Sequence, residues 1–195
     1  MARSIALVTR GTLDHEHLHG SLRELTEGTD RAVAIVGASF VETALDEALL
    51  VFLHRNKRIT DHLFRPSGPI GAFSTKIHLG LLVGLYGVAA HRDLINIKEI
   101  RNAFAHSLEV RDFNTQRIRN LTMNLALCER YTADMTAERE KNLKSLPVRD
   151  WPYWVFVKDR DEALKEPRKR YILAMQVLTY GLMLPAKTGM PAPLF

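Results

Sequence analysis

The sequence is poor in cysteine and lacks any long apolar run. Cys128 is the one cysteine among 195 residues, which excludes an internal disulfide and a thiolate zinc cluster and is typical of a reducing compartment. The longest apolar runs, residues 79–90 and 171–184, are shorter than the roughly 20 residues that a membrane-spanning helix needs. Residues 1–10 contain no apolar segment of signal-peptide length. We therefore expect a cytoplasmic protein without a membrane anchor.

The common motifs of enzyme and cofactor sites are also absent. The sequence has no glycine-rich phosphate loop, no nucleophile elbow and no paired-carboxylate glycosidase signature. Residues 14–19, Asp-His-Glu-His-Leu-His, look like a metal cluster. No HExxH motif and no identifiable distant carboxylate accompany them, so a solvated helix start is the better interpretation. We expect neither a metal nor a cofactor.

The composition is that of an ordinary globular domain with a basic excess. Hydrophobic residues make up 46% and charged residues 25% of the chain, as in soluble single-domain proteins of this length. The formal net charge is +5 and the pI is near 9.5. This excess permits a polyanionic partner without requiring one.

The apolar pattern predicts an all-α protein. A helix over about residues 20–55 is apolar nearly all round, which is typical of a helix buried on most sides. A turn follows at residues 65–71, because prolines and glycines cannot continue a helix there. A helix capped by Ser74 is expected over residues 74–87, and another from Asp93 to about residue 108. Asn114 or Thr115 is expected to open a helix over residues 115–135. The last helix is expected from Glu166-Pro167 to residue 184. Residues 152–157 predict a short strand or extended arm, so the expected fold is a helical bundle with a short irregular or extended C-terminal appendage.

Three charged residues fall on apolar helix faces. Glu42 and Asp46 are four residues apart on the first helix, hence about 40° apart, and need cations or hydrogen bonds there. Arg101 falls within an apolar stripe of the helix that begins near Asp93. That stripe consists of Ile97, Ile100, Phe104 and Leu108. Because a core-facing arginine keeps its charge and must find acceptors, we expect Arg101 to pair with Glu42 or Asp46.

A resemblance appears in the same helix. The string RNAFAH, Arg101 to His106, matches the R-x4-H motif of the HEPN superfamily, with Asn102 as the polar residue after the arginine. The stretch GPIGAFSTKIHLGLLVGLYG, followed by RDLINIKEIRNAFAHSLEVRDF, resembles the mannitol operon repressor (MtlR) family over about residues 31–119. The resemblance implies a helical, dimeric protein. It divides the chain into an MtlR/HEPN-like bundle over residues 1–145 and a C-terminal extension over residues 146–195, whose terminal helix packs on the same domain.

The resemblance implies two different activities. Many HEPN domains are metal-independent ribonucleases, in which arginine and histidine from paired motifs flank the RNA phosphate. In that interpretation His106 is the base, Arg101 stabilises charge on the phosphate and Asn102 orients one of them. The mannitol operon repressor family is linked instead to transcriptional control. This chain has no convincing helix-turn-helix, so its DNA contact would be of another kind.

A purely structural interpretation of the motif is open as well. Arg101 and His106 are about 140° apart on a regular helix, so they converge only if the helix ends at the motif or two chains meet there. Otherwise Arg101 is an ion-pair partner, Asn102 a packing amide and His106 a residue favoured by the helix dipole.

Basic residues outside the motif are candidates for nucleic-acid binding. Lys76 lies in the family-like stretch, where a surface position at a helix start is also plausible. Arg168, Lys169 and Arg170 form the densest positive region, interleaved with aromatic residues. The same pattern fits aromatic packing with solvated charges, which we favour.

The sequence thus predicts an MtlR-like transcriptional regulator of the repressor type, acting as a helical homodimer through protein or nucleic-acid binding. The DNA, RNA or protein nature of its partner stays open. The first alternative is a metal-independent HEPN-type ribonuclease using RNAFAH. The second is a non-catalytic helical adaptor. A non-enzyme is favoured.

Overall fold

The computed structural model describes residues 27–53, 56–133 and 160–188. Helices make up 77% of these residues and no β-strand occurs among them. The eight helices of the described ranges are α1 (Asp30–Leu53), α2 (Lys57–Phe64), α3 (Phe73–Leu82), α4 (Val88–His106), α5 (Gln116–Met123), α6 (Leu127–Ala133), α7 (Arg160–Lys165) and α8 (Pro167–Thr188). The predicted all-α class is confirmed.

The core forms where α1 and α8 pack together, and this is the largest helix contact in the described part of the chain. Small residues on α1 permit a close approach, and they are all fully buried: Ala34, Ala38, Ala44 and Ala48. The hydroxyl of Tyr171 on α8 donates to the carbonyl of Ala34 at 2.9 Å. The Tyr171 ring lies 5.0 Å from that of Phe113, which lies 5.2 Å from that of Phe104 on α4. These contacts fix the end of α4 against the core.

α3 and α4 form a helical hairpin, and a glycine in the connecting loop ends α3. α3 was expected to run to about residue 87 from a Ser74 cap, but it starts after Ala72, without a side-chain cap, and ends at Leu82. The helix ends there because Gly84 has φ +72°, a conformation that favours glycine. Gly87 is the N-cap of α4.

Asp93 caps a helix other than the one predicted. It lies inside α4, fully buried, and its carboxylate accepts the backbone N–H of Ala126 at 3.0 Å and of Leu127 at 2.8 Å. It therefore satisfies the free N–H groups at the start of α6. Burial raises the pKa of Asp93, and these two hydrogen bonds lower it in part.

Other predicted boundaries differ in detail. Residues 115–135 were expected to form one helix, but the chain breaks at Asn124 and gives α5 and α6. α2 was not predicted. The start of α8 at Pro167 agrees with prediction. Residues 14–19 and the strand predicted over 152–157 lie outside the described residues.

Within the described ranges, no helix is long and apolar enough to cross a membrane. In the same ranges, no group of three or more histidine, cysteine, aspartate or glutamate side chains could hold a metal ion.

Candidate functional site

The RNAFAH segment forms the C-terminal end of α4. The helix runs without interruption through His106, and Ser107 is its C-cap, with φ −109° and ψ 127°. Because the helix stays regular, Arg101 and His106 are about 140° apart around the axis and about 7.5 Å apart along it. One chain therefore does not bring the two side chains together.

Arg101 has no acceptor among the described residues. It is partly buried and makes no hydrogen bond or ion pair with any of them. Its charge lies near the hydroxyl of Tyr171: burial raises the pKa of that hydroxyl and Arg101 lowers it in part. The N-terminal part of α8, which carries Tyr171, is thus close to Arg101.

The carboxylates expected to pair with Arg101 bind a different cation. Lys76 on α3 donates to Glu42 at 3.0 Å and to Asp46 at 2.8 Å, with its own side chain only 5% exposed. The expected pairing of Arg101 with Glu42 or Asp46 is therefore wrong. Because α3 packs on α1, Lys76 reaches both carboxylates across that contact. A lysine so placed is neither at the surface nor available to a phosphate.

Lys76, Glu42 and Asp46 form the Lys76 cluster, in which one carboxylate oxygen accepts no hydrogen bond from the described residues. This oxygen is the buried Oδ1 atom of Asp46. Burial raises the pKa of Asp46 to about 6, although the Lys76 charge and hydrogen bond lower it in part and the neighbouring Glu42 raises it. This carboxyl group therefore gains a proton more readily than an exposed aspartate.

Arg31 holds the end of the motif helix from another element, α1. Its guanidinium donates to the carbonyl oxygens of Phe104, Ser107 and Val110, the last two at 3.2 and 3.1 Å. Carbonyl groups in the last turn of a helix have no partner within that helix, and a cation is favourable at this end. Arg31 thus fixes the backbone on both sides of His106. Sequence reasoning missed it, because nothing local connects Arg31 to a helix more than 70 residues away.

Asp30 holds the loop that follows the motif. Its Oδ2 atom accepts the backbone N–H of Phe113 at 2.9 Å, and its Oδ1 atom lies 3.4 Å from the Nε atom of Arg168. The start of α1 thus connects the loop after α4 with the start of α8.

The outer face of α4 carries the other two motif residues. His106 is exposed and Asn102 is partly buried. Being four residues apart, they lie on one side of the helix. Glu99 precedes them on that side and pairs with Lys98 at 2.7 Å. It also lines an open groove of about 450 Å³, together with four residues of α5: Gln116, Arg117, Asn120 and Leu121.

The basic residues of α8 are held by intramolecular contacts. Arg170 is 3% exposed and donates to the carbonyls of Leu164 and Leu125 and to Glu129. Arg168 donates to the carbonyl of Gly28 at 2.5 Å. Burial withdraws Arg170 from the role of nucleic-acid contact for which the sequence made it a candidate.

Lys169 differs from the other two because its side chain is 50% exposed, with Glu162 at 2.7 Å and Glu166 at 3.5 Å. These glutamates raise its pKa, chiefly through the hydrogen bond to Glu162. They also neutralise its charge locally.

No protein-family model, no curated protein and no solved structure matches this chain. The resemblance to the mannitol operon repressor family and to HEPN domains therefore rests on the sequence stretches within residues 31–119 alone.

Proposed function

We propose that this protein is an MtlR-like transcriptional regulator, cytoplasmic and homodimeric, that binds nucleic acid through the end of α4. Arg101 carries the proposal. The structural alternative makes it an ion-pair partner within the fold, yet Lys76 binds both carboxylates and Arg101 has no acceptor among the described residues. A partly buried guanidinium favours a carboxylate or phosphate partner, and an external phosphate fits that need.

The surroundings of the motif favour a nucleic acid over an acidic protein. Exposed arginines follow it in the loop after α4 and on α5, at positions 111, 117 and 119. The side chain of Arg117 is 69% exposed and lies 3.8 Å from Glu99, on the side of α4 that carries Asn102 and His106, so the proposed surface extends around the helix from Arg101 to the groove. Amide side chains beside it could hydrogen-bond to bases or sugars, while the arginines contact phosphates.

The test is binding of labelled DNA and RNA of the same sequence, measured by fluorescence anisotropy at several salt concentrations. Arg101→Ala should weaken binding and lower the dependence of affinity on salt, because one phosphate contact is lost. Lys57→Ala is the matched control, since Lys57 is an exposed cation on α2. An affinity that Arg101→Ala and Lys57→Ala change equally would contradict the proposal. Binding that is absent at low salt would favour the adaptor.

A metal-independent HEPN-type ribonuclease is the second candidate. The observation that favours it is that one helix carries both an arginine without an acceptor among the described residues and an exposed histidine. Since the helix keeps them about 140° apart, the catalytic pair would take Arg101 from one protomer and His106 from its partner. His106 would then accept the 2′-hydroxyl proton and Arg101 would bind the phosphate.

The ribonuclease is tested with structured RNA in EDTA. Arg101→Ala and His106→Ala should each abolish cleavage, and His62→Ala, which removes an exposed histidine of α2, should not. Mixing the two inactive variants should restore up to about a quarter of wild-type activity, because half of randomly mixed dimers then contain one intact composite site out of two. Cleavage by either single variant would remove the motif from catalysis.

A further inference from the structure

Two histidines face each other across the hairpin of α3 and α4. The Nδ1 atom of His78 lies 3.0 Å from the Nε2 atom of His91, with the rings tilted by 40°. His78 is exposed and His91 is partly buried. The pair is therefore open to solvent on one side, and neither residue belongs to the RNAFAH segment.

The hairpin holds the pair on a fixed frame. Between the two helices, the Tyr86 hydroxyl donates to the carbonyl of Ile77 at 2.7 Å, and Leu85 donates its N–H to the carbonyl of Gly80 at 2.9 Å. A methyl group at Gly80 would lie 2.5 Å from the Tyr86 oxygen, so the ring and the helix are in close contact. The hairpin consequently fixes the backbone that carries the two imidazoles.

The separation of the two nitrogens, which is a hydrogen-bond distance, is also close to that of two imidazole ligands of one metal ion. With metal–nitrogen bonds of about 2.0–2.1 Å, two nitrogens 3.0 Å apart subtend roughly 95° at the metal. Neighbouring ligands subtend about 90° in square-planar or octahedral coordination and about 109° in tetrahedral coordination, so a rotation of the rings, whose centroids lie 5.2 Å apart, aims both nitrogens at one ion. Imidazole nitrogen in tetragonal geometry is typical of Cu²⁺ and Ni²⁺.

We propose that His78 and His91 form a two-histidine binding site for a divalent transition-metal ion, with Cu²⁺ preferred over Ni²⁺ and Zn²⁺. The metal binds the two nitrogens that share a proton in the hydrogen bond, from a position beside the line that joins them, and the ring that donated that proton carries it on its other nitrogen. Water completes the coordination. The ion joins α3 to α4, so it binds the folded chain more tightly than the unfolded one and stabilises it.

The N-terminal histidines at positions 15, 17 and 19 must be removed from the measurement. A full-length background variant with alanine at these three positions serves this purpose. They are also close together in sequence, so they bind metal in the unfolded chain as well and add little stability. Thermal unfolding is measured in this background with EDTA and with CuCl₂, NiCl₂ or ZnCl₂ alone. His78→Ala, His91→Ala and the control His62→Ala are introduced singly.

We expect each metal to raise Tm, with Cu²⁺ giving the largest shift, and we expect His78→Ala and His91→Ala to abolish the shift while His62→Ala keeps it. Electron paramagnetic resonance of the Cu²⁺ complex should show two coordinated imidazole nitrogens. No shift in the background variant, or one that survives both His78→Ala and His91→Ala, would overturn the site. The comparison of each variant with and without metal stays valid even where a substitution lowers stability.

Discussion

The Lys76 cluster makes a quantitative prediction about stability. Lys76→Met keeps most of the apolar stem but removes the cation that lies 3.0 Å from Glu42 and 2.8 Å from Asp46. Removing one partner of a buried ion pair costs about 3–5 kcal/mol, because the other charge stays buried without compensation. The two carboxylates keep 22% and 30% of their side chains exposed, so solvent screens part of this cost. We expect a loss of about 2–3 kcal/mol at pH 7.5.

The dependence of this loss on pH follows from Asp46. In the wild type, the pKa of Asp46 is raised from 3.8 to about 6. The folded state therefore binds a proton more tightly than the unfolded state, and the contribution of Asp46 to stability falls as pH rises from about 4 to about 6. The charge and the hydrogen bond of Lys76 lower this pKa in part, so without Lys76 the Asp46 carboxyl gains its proton at still higher pH. The cost of Lys76→Met should thus be largest at pH 7.5 and smaller at pH 5.

The assay is urea unfolding followed by circular dichroism at pH 7.5 and pH 5. Lys57→Met is the matched control, because it removes the same charge from an exposed position on α2, and it should change the free energy of unfolding by no more than about 0.5 kcal/mol. A cost for Lys76→Met below about 1 kcal/mol at pH 7.5, or one that is equal at both pH values, would refute the reasoning.

Two further predictions concern buried groups. Asp93→Ala leaves the buried N–H of Leu127 and that of Ala126 without acceptors and should lower the free energy of unfolding by about 2–3 kcal/mol in the urea assay. Asp93→Asn should cost less, since it keeps one acceptor, and equal costs would contradict the capping role. Cys128 is fully buried and its pKa is raised to about 11 by burial, so Ellman's reagent should react with it only as fast as the chain unfolds. Complete reaction within minutes without denaturant would show that the thiol is accessible in the folded protein.

The fold class could be predicted from the sequence because periodicity is a local property. The apolar pattern of residues 30–53, the turn after residue 64 and the proline at the start of α8 all act within a few residues of themselves. The predicted apolar stripe of α4 is confirmed for Ile97, Ile100 and Phe104, which are fully buried. Leu108 is 92% exposed because the helix ends two residues before it.

The partners of charged side chains could not be predicted in the same way. Asp93 has the residue type and position of a helix cap, yet it caps a helix more than 30 residues later. Glu42 and Asp46 required a cation, but their sequence does not distinguish Arg101 from Lys76. Packing of α3 on α1 decides between them. Tertiary proximity of this kind leaves no local pattern.

Substitutions of Lys76 and of Arg101 are expected to change different measurements, the first the stability and the second the activity of the protein. Both residues lie on helices that pack against α1. Lys76 neutralises two carboxylates, so removing it should lower the free energy of unfolding. Arg101 makes no hydrogen bond or ion pair with the described residues, so Arg101→Ala removes no such contact there. We expect it to weaken nucleic-acid binding or RNA cleavage instead. If Arg101→Ala destabilised the fold as much as Lys76→Met and left nucleic-acid affinity unchanged, Arg101 would belong to the fold and the site would lose its central residue.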